Sequence, residues 1–174
     1  MKCLLPGIFV LLIAAGFCSS VYGESSPPAF VARLHRTLVS QNTGMHFSCV
    51  VVHEDGRYRL EDSQQDLMPG VRPTMKIYLD SLPEPAMKRL REIVDDKAFL
   101  EIKSPVHNDQ ILNVFDQLSV TVPRKEGMQE FSFLDPDSRK PYDKILKPLL
   151  EWFREVQKRK LPPQKGAVSN RCAD

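Results

Sequence analysis

The sequence predicts an α+β fold: an antiparallel sheet of four to six strands built from hairpins, with two main amphipathic helices packed on it. Three observations predict it. Alternating, β-branched runs on either side of Asp55 and Gly56 read as one hairpin, and Gln117 to Val122 with Met128 to Leu134 read as a second around Pro-Arg-Lys-Glu-Gly. Two stretches, 83–96 and 142–158, carry apolar residues at helical spacing. Strand runs joined by hairpin turns and punctuated by helices argue for an antiparallel sheet with the helices on one face.

The first 23 residues read as a cleavable secretory signal, with Lys2 as the basic end and Ile8 to Gly16 as the apolar centre. That centre is too short for a membrane span, which needs about 20 apolar residues. Val21 and Gly23 are small enough to favour cleavage after Gly23. Lipidation at Cys18 is disfavoured by the bulky Phe17 before it. The expectation is an exported protein, periplasmic or extracellular.

What remains is the size of one domain. Residues 24–29 form a flexible leader, 30–159 a single α+β domain and 160–174 a mobile basic tail. With Lys2 gone, 23 basic side chains face 22 acidic ones. That balance lacks the clustered basic face of a nucleic-acid binder.

Within the domain, Phe30 to Val39 fits both strand alternation and a four-residue helical spacing. The turn cluster that follows favours strand. The run from His46 leads through the turn at Glu54 to Gly56 into alternating Tyr58 and Leu60. Residues 62–73 lack periodicity and read as a loop before a strand at Thr74 to Leu79. In the first helix Met87, Leu90 and Val94 make the apolar stripe, and Pro83 and Pro85 fall in its first turn, where a missing N–H costs nothing. Phe99 to Ile102 reads as a short extended piece. In the last helix Tyr142, Ile145, Leu146, Leu149, Leu150, Phe153 and Val156 repeat at helical spacing. Pro148 either kinks that helix or begins its main part.

No catalytic, metal or cofactor site is expected. A zinc site needs three or four converging ligands, and His35, His46, His53 and His107 show no such spacing. On a shared strand, His46 and His53 point to opposite faces. Cys49 and His53 share a face but stand ~13 Å apart, beyond proton-transfer reach. Asp135 and Asp137 lack the glycine and glutamate of a calcium loop and read as a turn and helix start. Asp95 and Asp96 are adjacent at a helix end, and glycine-rich phosphate loops are absent. Lys158, Arg159, Lys160 and Lys165 either touch an anionic surface or complement a helix C-terminus.

Two pairs of residues are left open. Cys49 and Cys172, the cysteines that remain after the signal, are either bridged or free. A bridge over so long a loop would contribute about 4 kcal/mol in the chain-entropy picture. Tyr58 and Trp152 are either core residues or exposed aromatic anchors for a partner.

The stretch SLPEPAMKRLREIVDDKAFLEI, followed by FDQLSVTVPRKEGMQEFSFLDPDSRKPYDKILKPLLEWF, resembles emfourin, the small protein inhibitor of thermolysin-type metalloproteases. Leu82, Leu90, Phe99, Leu149, Leu150 and Trp152 hold comparable places in the helix-hairpin-helix order. The first half offers only Asp55 and Gly56 where that family carries a double-glycine segment. The resemblance implies a secreted inhibitor. Together with the missing catalytic motifs, it leads us to expect an exported, non-catalytic binding or inhibitory module whose partner is another protein. The alternatives are a small secreted hydrolase with no local motif and a structural envelope protein.

Overall fold

Six strands form one antiparallel sheet in the order β4-β3-β2-β1-β5-β6. They are β1 (Phe30–Ser40), β2 (Gly44–His53), β3 (Arg57–Gln65), β4 (Thr74–Ser81), β5 (Phe115–Arg124) and β6 (Gly127–Phe133). The helices are α1 (Glu84–Val94), α2 (Lys97–Leu100), α3 (Pro136–Arg139) and α4 (Asp143–Gln157). This computed structural model describes residues 29–40, 44–66, 72–103, 115–159, 161–169 and 172. The segment read as a signal, residues 24–28 of the expected leader and His107 lie outside them.

Period-two alternation sorts the strand residues onto two faces. Ala32, Leu34, Val50, Val52, Tyr58, Leu60, Leu118, Val120, Val122, Phe131 and Phe133 share one face, where all are buried. The stripe Met87, Leu90 and Val94 of α1 and the stripe Leu146, Leu149, Phe153 and Val156 of α4 close over them. Trp152 lies off the main stripe of α4 yet is buried between the helices, where its Nε1 donates to the Ala86 carbonyl at 3.1 Å. A buried indole N–H needs such an acceptor.

The strongest local signals sit at the turns. Gly56 closes the β2–β3 hairpin at φ 83°, a left-handed conformation that glycine adopts without penalty. Gly44 starts β2 at φ 78°, and a Cβ there would strike the Gln65 carbonyl. That close approach ties the far ends of β2 and β3 together.

Two local expectations are corrected and two are sharpened. The expected loop from residue 62 begins later, because β3 runs to Gln65 and pairs Asp62 with Ser48 and Gln65 with Met45. Phe99 to Ile102 is not extended: Asp96 caps a helical turn, its carboxylate accepting from the Ala98 N–H at 2.8 Å, and Phe99 swings into the core. The turn after Asp135 is the short helix α3, closed by a capping box between Asp135 and Ser138. Pro148 neither ends nor begins α4, which runs through it, its missing N–H falling on a partly exposed side.

The C-terminal tail departs most from expectation. Leu161 packs against the core, and the Gln164 N–H donates to the Ile77 carbonyl on edge strand β4 at 2.7 Å. From there the tail crosses to the helix-free face of the sheet. Residues 161–169 and 172 of the segment read as mobile lie as a strap, held at successive points by backbone, side-chain and covalent bonds. No described helix is long and apolar enough to cross a membrane.

Candidate functional site

On the face away from the helices, one row of residues runs straight across the sheet. The registers align Ile77 with Glu61, Glu61 with Cys49, Cys49 with His35, His35 with Ser119 and Ser119 with Ser132. Directly opposed side chains have Cβ atoms roughly 5 Å apart, so each lies beside the next. Polar and titratable groups thus occupy five adjacent strands, a clustering that no sequence window shows.

The strap covers the middle of this row. Cys172 is disulfide-bonded to Cys49, with Cα atoms 5.9 Å apart and 123 positions between them in sequence. The alternative left open by the sequence is therefore settled as a bridge, and both cysteines are fully buried. Val51 packs beside them, with Phe30 and Phe47 at the margin. Arg33 donates to the Cys172 carbonyl at 3.3 Å and lies over the Phe30 ring. Arg59 donates to the Val168 carbonyl at 2.6 Å, and the Ser169 hydroxyl donates to Glu61 Oε2 at 2.6 Å.

Glu61 is wholly buried, which a carboxylate tolerates only when paired and hydrogen-bonded. Arg59 Nε meets its Oε1 at 2.7 Å, so the strap residue Ser169 and the strand residue Arg59 share its charge. Next in the row, His35 has its Nε2 buried without a hydrogen-bond partner and its ring edge-on to Phe47. Burial first, and the charge of Arg33 second, hold its imidazole below the ordinary range, while a hydrogen bond with the Cys172 backbone opposes them. His35 is therefore kept toward its neutral form. Beyond it, the Ser119 and Ser132 hydroxyls bond one another at 2.9 Å, and Gln117 Nε2 reaches both.

This row supplies no activated nucleophile. Cys49, the most reactive group, is consumed by the bridge, and a thiolate is what cysteine chemistry requires. A second polar cluster lies on the helix face at the ends of β2 and β3. There His46 Nε2 and the Ser48 hydroxyl both meet Asp62 Oδ1, at 2.8 and 3.0 Å, and Gln157 donates to the Ser48 oxygen at 2.6 Å. The carboxylate stands in the middle. A serine triad needs the imidazole there, between acid and hydroxyl.

Tyr58 and Trp152 are both core residues, 2% and 1% exposed, and are not partner anchors. Arg159 lies over the Tyr58 ring and pairs with Asp80 at 3.2 Å, which commits this member of the basic cluster to the fold. Asp135 caps α3, Asp95 pairs with Arg124, and Asp96 caps α2, so these carboxylates also have structural duties. Sequence reasoning missed an ion-paired triad beneath α3, in which Asp116 and Arg139 are buried and Arg36 is partly exposed. Asp116 receives Arg36 at 2.9 and 3.1 Å and Arg139 at 2.6 Å. Burial raises the Asp116 pKa, but hydrogen bonds and charge from the two arginines outweigh it and hold the carboxyl below its usual range.

Exposed apolar side chains recur on this face. Among the described residues, the exposed large hydrophobics are Met45, Met75, Leu79, Leu100, Met128 and Val168. All but Leu100 lie on the strapped side. Leu79 stands opposite Arg59, whose guanidinium holds Val168, and Met75 stands opposite Ser63. A cleft of about 460 Å³ opens beside Leu79, lined by His53, Arg57, Tyr58, Arg59, Asp80 and Ser81. No family model matches the chain, and no curated protein matches it.

Proposed function

We propose that this chain is an exported, non-catalytic module that binds another protein through the strapped face of its sheet, with protease inhibition as its specific form. The supporting observation is that exposed Met45, Met75, Leu79 and Val168 all lie on the strapped face. Exposed apolar groups concentrated on one side mark protein contacts, and methionine adapts its shape to a partner. The disulfide supports export, because such bridges persist in oxidising compartments. Consumption of Cys49 in the bridge supports a non-catalytic role, and the resemblance of the second half to emfourin supplies the class of partner.

The test is a titration of residues 24–174 into a thermolysin-type metalloprotease, following residual protease activity and the integrity of the added chain together. Stoichiometric loss of activity with the chain intact is expected, and Met75→Glu with Leu79→Glu should abolish it. Unchanged activity at large excess of the chain would overturn the inhibitor reading for that protease class.

A further inference from the structure

We propose that Cys49, Cys172 and His35 form a second site, for a thiophilic divalent cation of the zinc type, once the disulfide is opened by reduction. Among the described residues, the two sulfurs and a ring nitrogen of His35 all lie within 4.8 Å of one another. They come from β2, the strap and β1, elements that approach only in the folded chain. Two thiolates and one imidazole are ligands that zinc prefers.

The distances suit the ion. Zinc bonds sulfur at ~2.3 Å and nitrogen at ~2.0 Å, which in a tetrahedron separates two sulfurs by about 3.8 Å. Cysteines whose Cα atoms are 5.9 Å apart reach that separation by side-chain rotation. Glu61 is the carboxylate next in the row, but Arg59 and Ser169 hold its two oxygens, so a fourth position falls to water.

The electrostatics suit the ion as well. Two thiolates alone in this buried pocket would be two unpaired negative charges, which desolvation penalises heavily. One divalent cation with two thiolates and a neutral imidazole has no net charge. The buried Nε2 of His35 has no hydrogen-bond partner, which leaves a ring nitrogen for the ion.

The chemistry balances. A dithiol reductant gives two electrons and two protons to the Cys49–Cys172 bridge and itself becomes a cyclic disulfide, leaving two thiols. Zinc then displaces both thiol protons to solvent. Oxidised, the strap is fastened by a covalent bond; reduced, it is fastened by the ion.

The experiment reduces the exported chain under anaerobic conditions, removes the reductant and titrates Co²⁺ and then Zn²⁺. Expected are one metal per reduced chain, thiolate-to-cobalt charge-transfer absorption that zinc abolishes, and no binding to the oxidised chain. His35→Ala should weaken zinc binding at least tenfold, and Cys172→Ser should remove the charge-transfer signature. Absence of that absorption in a folded, reduced chain would overturn the proposal, and so would undiminished affinity in His35→Ala. If the reduced chain unfolds, recovery of its circular dichroism on adding zinc supports the site, and failure of zinc to restore it overturns the site.

Discussion

The two faces of the sheet are closed by different means. On one, α1 and α4 bury a continuous apolar layer from Ala32 to Phe133, and cohesion comes from many unspecific contacts. On the other, a strap without helix or strand covers a polar row and is held by a disulfide, an arginine–carbonyl bond at each flank and the Ser169–Glu61 bond. The first face is redundant, so loss of one contact leaves the rest. The second depends on a few directional bonds, and breaking the Ser169–Glu61 bond strips a partner from a wholly buried carboxylate.

The largest expected effect tests the first face. Phe133 is fully buried against Phe131 and Tyr142, and Phe133→Ala should cost about 3–5 kcal/mol in denaturant unfolding. A smaller loss, under about 1 kcal/mol, would mean that the layer is loosely packed there.

Removing the bridge tests the second. Replacing both Cys49 and Cys172 by alanine should cost about 2–5 kcal/mol, since the bridge closes a loop spanning 123 positions. Hydrogen exchange should rise first at Gln164, whose N–H is bonded to β4, while the helix-covered strands keep their protection. Equal loss of protection on both faces would erase the distinction drawn between them.

Glu61→Gln keeps the shape but removes the charge that Arg59 and Ser169 share, and should cost about 1–3 kcal/mol. His35 adds a pH dependence. Its folded pKa is lowered, so the unfolded chain takes up a proton at higher pH than the folded one does. The stability from its neutral ring is present above the ordinary imidazole value of 6.5 and is lost progressively as the pH falls below it. His35→Gln should flatten that part of the melting-temperature profile. Asp116 acts elsewhere: its lowered pKa confines its loss to pH below the ordinary carboxylate value of 3.8. The smallest effect belongs to Leu79→Glu, which should change stability by less than about 0.5 kcal/mol because that side chain is 49% exposed. Its consequence should appear only in the proposed binding to a protease.

Much of the first face was legible in the chain itself. Alternation at Leu118, Val120 and Val122, and the stripes at Met87, Leu90, Val94 and at Leu146, Leu149, Phe153, name the core without any structure. The hairpin at Asp55 and Gly56 was legible for the same reason, since a left-handed turn selects glycine. Little of the strapped face was. Its residues alternate with the core residues as any outward-facing set does, and the tail carries no periodicity.

The amino-acid sequence by itself therefore determined the α+β class, both hairpins and both main helices, because each rests on a local rule of period or turn geometry that neighbouring residues express together. Only the tertiary structure decided that Cys49 meets Cys172, that Tyr58 and Trp152 are buried, and that Ile77, Glu61, Cys49, His35, Ser119 and Ser132 form one row. Those relations depend on strand order and register, and register joins residues far apart in the chain.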